Sequence, residues 1–187
     1  GTRPSYGVDS ESEHARALFC ELFETDCSVY FLASGTATNS VGLAAATPPH
    51  GAMLCSDVAH IHLDECGAPE FFTGGAKLQT LTSSAGKLSP NVLRTHFDER
   101  PMLGPHRSPY KVLSLTQGTE AGTVYSVSEL EALSAIARNH DLVVQMDGAR
   151  FANAVAALGV SPAELSWRAG VDMLSFGGTK NGCLAAE

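Results

Sequence analysis

The chain has 187 residues, of which 44% are hydrophobic, 7% aromatic and 17% charged, and its formal net charge is −8. That balance excludes a disordered tail and a collagen-like repeat, and no apolar run is long enough to cross a membrane. The acidic charge argues against generic nucleic-acid binding, leaving room for a local basic pocket at most.

The first element in chain order is a helix predicted over residues 10–24. Ala15, Leu18, Phe19, Leu22 and Phe23 recur at helical spacing, and Ser10 with Glu13 reads as a capping box. The apolar run 29–32 (Val-Tyr-Phe-Leu) reads as a strand covered on both faces. Small residues over 35–46 read as a helix, and 52–55 as the next strand. Ser89 followed by Pro90 marks a helix start, with the helix over 91–97. Residues 96–109, with Pro101, Gly104, Pro105 and Pro109, are expected to form a long surface loop. A strand follows over 111–115. Ser126 and Glu129 form a second capping box before a helix that puts Val127, Leu130, Leu133, Ile136 and Ala137 on one face. Residues 142–146 read as a strand ending at Asp147, Ser161 to Glu164 as the opening of a further helix, and 171–175 as the last strand. Apolar strands alternating with helices predict an α/β fold with a mostly parallel sheet.

The cysteines are Cys20, Cys27, Cys55, Cys66 and Cys183, an odd number without a C-x-x-C pair. They read as reduced thiols rather than a disulfide framework. His60 and His62 form an H-x-H pair without a second ligand pair, so no metal is expected.

In open parallel sheets, ligands sit beyond the carboxyl ends of the strands. Here those ends are followed by Ser34-Gly35-Thr36, by His60, by residues 117–120 (Gln-Gly-Thr-Glu), by Asp147 with Arg150, and by Gly177-Gly178-Thr179-Lys180. Ser34-Gly35-Thr36 suits either a plain helix cap or a phosphate held at a helix N-terminus. Asp147 suits either a cap for the next helix or a carboxylate that keeps a pyridine nitrogen protonated. Lys180 among glycines suits a nucleophilic amine that forms a Schiff base. His60 is a half-buried histidine or a ring that stacks on a flat cofactor. Taken together, these elements describe pyridoxal 5'-phosphate chemistry.

The order Gly-Thr, His, Asp-x-x-Arg, Lys also resembles the threonine aldolases of the β-eliminating lyase group. The similarity is carried by Tyr6-Gly7 and by residues 34–39, 59–60, 64–72, 122–125, 146–153 and 176–182. The resemblance implies pyridoxal-phosphate fold type I, with a three-layer αβα large domain. It implies an N-terminal helical segment over 1–28 and a cofactor-binding large domain over 29–187, with the small C-terminal domain and a segment before Tyr6 lying outside the sequence. It further implies a lyase that splits threonine or a related β-hydroxy-α-amino acid to glycine and an aldehyde, working in the cytoplasm as a homodimer or homotetramer. Another fold-type-I lyase or transferase, or an inactive cofactor-binding fragment, is the alternative. By that resemblance Lys180 carries the covalent link to the cofactor, Asp147 pairs with the pyridine nitrogen and His60 stacks on the ring. Gly35, Thr36 and Asn39 bind phosphate, Arg150 reaches the cofactor O3′ or the substrate carboxylate, and Glu65 orients His60. One branch of the family has a histidine near the 117–120 turn where Thr119 is read here, which leaves His60 or a water as the base for the β-hydroxyl.

Overall fold

The structure, a computed structural model, describes residues 7–100 and 104–183. Tyr6, Pro101 and the terminal residues 184–187 lie outside them. Its centre is a sheet of five parallel strands: β1 (Ala52–Ser56), β2 (Lys77–Leu81), β3 (Tyr110–Thr116), β4 (Val143–Gly148) and β5 (Met173–Phe176), in the order β2-β1-β3-β4-β5. Side chains alternate across a strand, so each strand feeds two cores. Leu54, Leu113, Leu115, Val144 and Met146 face one side, and Met53, Cys55, Val112 and Val143 face the other.

Helices cover both sides, which makes three layers. The first core is closed by residues of α1 (Ser10–Phe23), α5 (Pro90–Glu99), α6 (Val127–Asn139) and α7 (Phe151–Leu158). The second is closed by Leu43 of α2 (Gly35–Ala46) and Ile61 of α3 (His60–Leu63). The short α4 (Ala68–Phe72) packs on α2. Among the described residues the sheet is entirely parallel, and the expected α/β class holds.

Local chemistry explains most of the boundaries. Ser89 and Ser126 cap their helices through the expected side-chain bonds, and Ser126 with Glu129 completes a capping box. Gly148 ends β4 where a Cβ would come within 2.7 Å of Leu174 and 2.8 Å of the Ser175 carbonyl oxygen, so only glycine lets β4 pack this closely on β5.

Four expectations are corrected. The cap of α1 is Asp9, whose side chain accepts the Ser12 N–H, not Ser10; aspartate one residue earlier is an equally good cap and also suits the helix dipole. Residues 29–32 form no strand. They link α1 to α2 outside the sheet, with Tyr30 78% exposed and Phe31 under the Arg16 guanidinium. Ser161 and Glu164 exchange the expected capping bonds, but the chain turns without continuing into an α-helix. A strand not expected, β2 at one edge of the sheet, carries the mixed run Lys-Leu-Gln-Thr-Leu and is only partly buried. Residues 96–99 of the expected loop complete α5.

α1 is fixed by Phe23, which is buried against Phe151 and Phe176 at 5.9 and 6.2 Å between ring centroids. Burying one such ring contributes roughly 1.5–3 kcal/mol. Both partners flank the functional edge: Phe151 follows Arg150, and Phe176 precedes Gly177.

Candidate active site

The chain leaves β1 toward β2 on one side, and β3 then lies on the other side of β1. A crevice opens beyond the carboxyl ends of strands that diverge in this way. Residues from both sides meet there. The backbone N–H of His60, just after β1, donates to Glu120 Oε1 at 2.8 Å, and the Thr116 hydroxyl at the end of β3 donates to the same oxygen at 2.9 Å. Glu120 thus takes the place of a side-chain cap on α3, which Ala59 cannot supply.

From His60 a line of polar groups runs under α2. His60 Nδ1 lies 2.9 Å from Glu65 Oε1. Asn39 Nδ2 donates to Glu65 Oε1 and to Asp147 Oδ2, both at 2.9 Å. Asn39 Oδ1 accepts from Gln145 Nε2, whose Oε1 accepts the Ser114 hydroxyl at 2.6 Å. Asn39, Glu65, Ser114, Gln145 and Asp147 are all buried. The odd-numbered residues of β4 face α2, so Gln145 and Asp147 point into this layer while Val144 and Met146 fill the other core.

The network fixes orientations. Gln145 donating to the Asn39 oxygen leaves only the Asn39 NH₂ for the two carboxylates. Burial pushes the Glu65 carboxyl above its usual range; Asn39 and His60 pull it back, and the charge on Asp147 adds to the push. With Glu65 accepting from Nδ1–H, His60 Nε2 is left as the ring nitrogen with a free lone pair. His60, Glu65 and Asp147 each offer a ligand atom within 4.8 Å of the others. Asn39 Nδ2 already donates to both carboxylates of this group.

The remaining site residues surround this line. Asp147 Oδ1 accepts the Ala149 N–H at 3.0 Å, and Thr116, Asp147 and Ser175 lie side by side across β3, β4 and β5. Gly35 and Thr36 form the first turn of α2 and are half-buried, with Ser34 capping Ala37. Arg150 is half-buried at the start of α7. Lys180 is exposed on the short turn Thr179–Asn181 just beyond β5. Asn181 Nδ2 fastens that turn to the Gly177 and Ala149 carbonyls at 2.7 and 3.3 Å, so the lysine turn is docked on the residues that follow Asp147 at the end of β4. Among the described residues, the Thr36, Arg150 and Lys180 side chains have no hydrogen-bond or ion-pair partner. They are open to a ligand, while Asn39 is fully engaged inside the network.

Sequence reasoning did not single out Glu120, Gln145, Ser114 or Asn181. Gln145 in an apolar strand was the readable signal, since an uncharged polar residue there must be hydrogen-bonded.

Asn39→Ala is expected to lower stability by about 3 kcal/mol, because it strips a donor from two buried carboxylates and an acceptor from Gln145. Urea unfolding reads this as a lower midpoint at unchanged slope. An unchanged midpoint would show that the amide is dispensable.

Residues 1–186 match the sequence profile of the family described as Beta-eliminating lyase. The chain belongs to that family. It is 49% identical, over all 187 residues, to the low specificity L-threonine aldolase of Pseudomonas aeruginosa, covering 54% of that protein. It is 46% identical to the enzyme of the same name from Pseudomonas sp., again over its whole length and 54% of the relative. Among solved structures it superposes on Leishmania major threonine aldolase with a TM-score of 0.90 at 31% identity, covering 99% of this chain and 53% of that one. The chain therefore spans about half the length of the relatives it matches. The agreement with a threonine aldolase structure bears out the expected fold type I.

The residues present fit pyridoxal phosphate. A buried carboxylate with spare lone pairs, an unengaged lysine on the neighbouring strand end, a half-buried imidazole and a helix N-terminus stand on one edge of the sheet.

Proposed function

We propose that the full-length protein is a pyridoxal 5'-phosphate-dependent aldolase that cleaves threonine or a related β-hydroxy-α-amino acid to glycine and an aldehyde. One observation carries the reading: Asp147, oriented by Asn39 and Ala149, adjoins the docked turn that bears Lys180, in a chain 49% identical to a low specificity L-threonine aldolase. When bound, the cofactor supplies a pyridinium that takes up the electron pair released as the Cα–Cβ bond breaks.

The chain's own residues do the rest. Lys180 is the amine for the cofactor aldehyde. Asp147 accepts from the ring N–H and keeps it protonated. His60 would cover the ring face, and its Nε2 would take the proton of the substrate β-hydroxyl as the aldehyde forms and later deliver it to Cα of the glycine product. Glu65 holds the ring of His60, and Glu120 holds its backbone. The N–H groups of Gly35 and Thr36 and the Thr36 hydroxyl bind the phosphate at the start of α2. Asn39 serves beneath them by fixing both carboxylates. Arg150, without a hydrogen-bond or ion-pair partner among the described residues, takes the substrate carboxylate or the cofactor O3′.

In this reading residues 29–187 are the cofactor-binding large domain behind the helical segment 1–28. The assembly is a homodimer or homotetramer, which the exposed Leu63, Phe71 and Phe72 beside the site support. The enzyme acts in the cytoplasm, on threonine breakdown and glycine formation.

Borohydride reduction of the full-length holoenzyme, followed by peptide mapping, should fix the cofactor to Lys180, and threonine should release acetaldehyde. A cofactor adduct on another residue, or release of ammonia without aldehyde, would overturn the proposal.

A further inference from the structure

We propose that Cys20 and Cys27 form a redox-sensitive dithiol that closes to an intramolecular disulfide on contact with a low-molecular-weight disulfide. Their sulfurs lie 3.7 Å apart, and both cysteines are free. To reach a bond of ~2.05 Å the two sulfurs close from 3.7 Å by rotation of their side chains. Cys27 is exposed and Cys20 half-buried, so a small oxidant reaches the pair. Burial, followed by the neighbouring Cys20, pushes the Cys27 thiol up.

The approach is built into the fold. α1 ends at Glu24 in the left-handed region, with Thr25 N–H donating to the Cys20 carbonyl, and the chain doubles back to bring Cys27 beside Cys20. The reversal is pinned by buried Phe23, by Trp167 Nε1 donating to the Phe23 carbonyl at 2.7 Å, and by the Arg168–Glu24 ion pair at 3.0 Å. The two thiols are therefore neighbours held by tertiary contacts.

The chemistry is thiol–disulfide exchange. One protein thiolate attacks the oxidant; the oxidant's S–S bond breaks, a mixed disulfide forms and one small thiol leaves. The second protein thiolate then attacks the protein sulfur of that mixed disulfide, and the second small thiol leaves. The protein loses two protons and two electrons, which the oxidant gains as it becomes two thiols. Because the second step is intramolecular, it outruns accumulation of the mixed species. The product braces the turn that seats Phe23 against Phe151 and Phe176.

The test uses the full-length protein with oxidised glutathione as probe, quenched by acid and alkylation. Cleavage after Glu21 and Glu24 puts the two cysteines on different peptides, so the disulfide is read as a linked pair lighter by two hydrogens. The expected result is that pair, with stable glutathione adducts on the exposed Cys66 and Cys183 but not on Cys20 or Cys27. Oxidation should also raise Tm by about 5 °C, and Cys27→Ser should abolish the rise and let an adduct accumulate on Cys20. Separate glutathione adducts on Cys20 and Cys27 in the unsubstituted protein, without a linked pair, would overturn the proposal.

Discussion

Lys180→Ala in the full-length protein is expected to remove the absorbance of the lysine-linked cofactor and to lower kcat by at least ~10⁴-fold, the scale on which loss of a covalent participant is felt. The fold should not notice. Lys180 is exposed, and among the described residues its side chain bonds to nothing. Its turn is held by Asn181, whose amide bonds to the Gly177 and Ala149 carbonyls remain. Thermal unfolding should therefore shift by no more than the ~0.5 kcal/mol usual for a surface substitution. Normal turnover in this variant would remove Lys180 from the chemistry and the cofactor assignment with it. A large drop in Tm alongside the lost activity would mean that the lysine also holds the structure.

The separation of chemistry from folding at Lys180 also explains what could be read without coordinates. Elements whose signals are local were legible. Ser89-Pro90 and Ser126 with Glu129 state their helix starts within four residues, and the apolar runs of β3 and β4 are buried on both faces. Elements that depend on distant partners were not. Val29 to Leu32 has the composition of a central strand, but the sheet is built from the five segments β2-β1-β3-β4-β5 and the run lies outside it, linking α1 to α2. β2 is an edge strand with one half-open face, so its alternation is weak.

The same division holds for the site. His60, Asp147 and Lys180 stood out because each is a reactive residue at or soon after the carboxyl end of a strand. Glu120 did not, because its part is to bond a backbone N–H sixty positions away. Asn39 was readable as a polar residue in the first turns of α2, yet sequence could not show that its amide is spent on Glu65 and Asp147 rather than on a phosphate. The network joins α2, α3 and two strands, and only the sheet order brings them together.

Asp147 admits two accounts that a single substitution separates. As a local cap it needs only an oxygen for the Ala149 N–H, at 3.0 Å. Asparagine makes that turn as well as aspartate does, so on this account Asp147→Asn should run at close to the normal rate. As the partner of a protonated pyridine it needs its negative charge, and the neutral amide should lower kcat by ~10²–10³-fold while the cofactor stays bound, the scale of losing one preorganised electrostatic contact. The structure adds a second readout. The charge on Asp147 helps hold the Glu65 carboxyl above its usual range. Removing that charge should bring the titration of Glu65 back down, whichever role Asp147 plays. A variant in which Glu65 titrates lower but turnover is unchanged would thus leave Asp147 as a structural carboxylate, because the substitution would have reached the site without touching the reaction. Loss of turnover together with the lowered titration is the expected outcome; the asparagine oxygen keeps the Ala149 N–H, and the cost of turning its NH₂ toward the Asn39 amide is read separately as a lower urea midpoint.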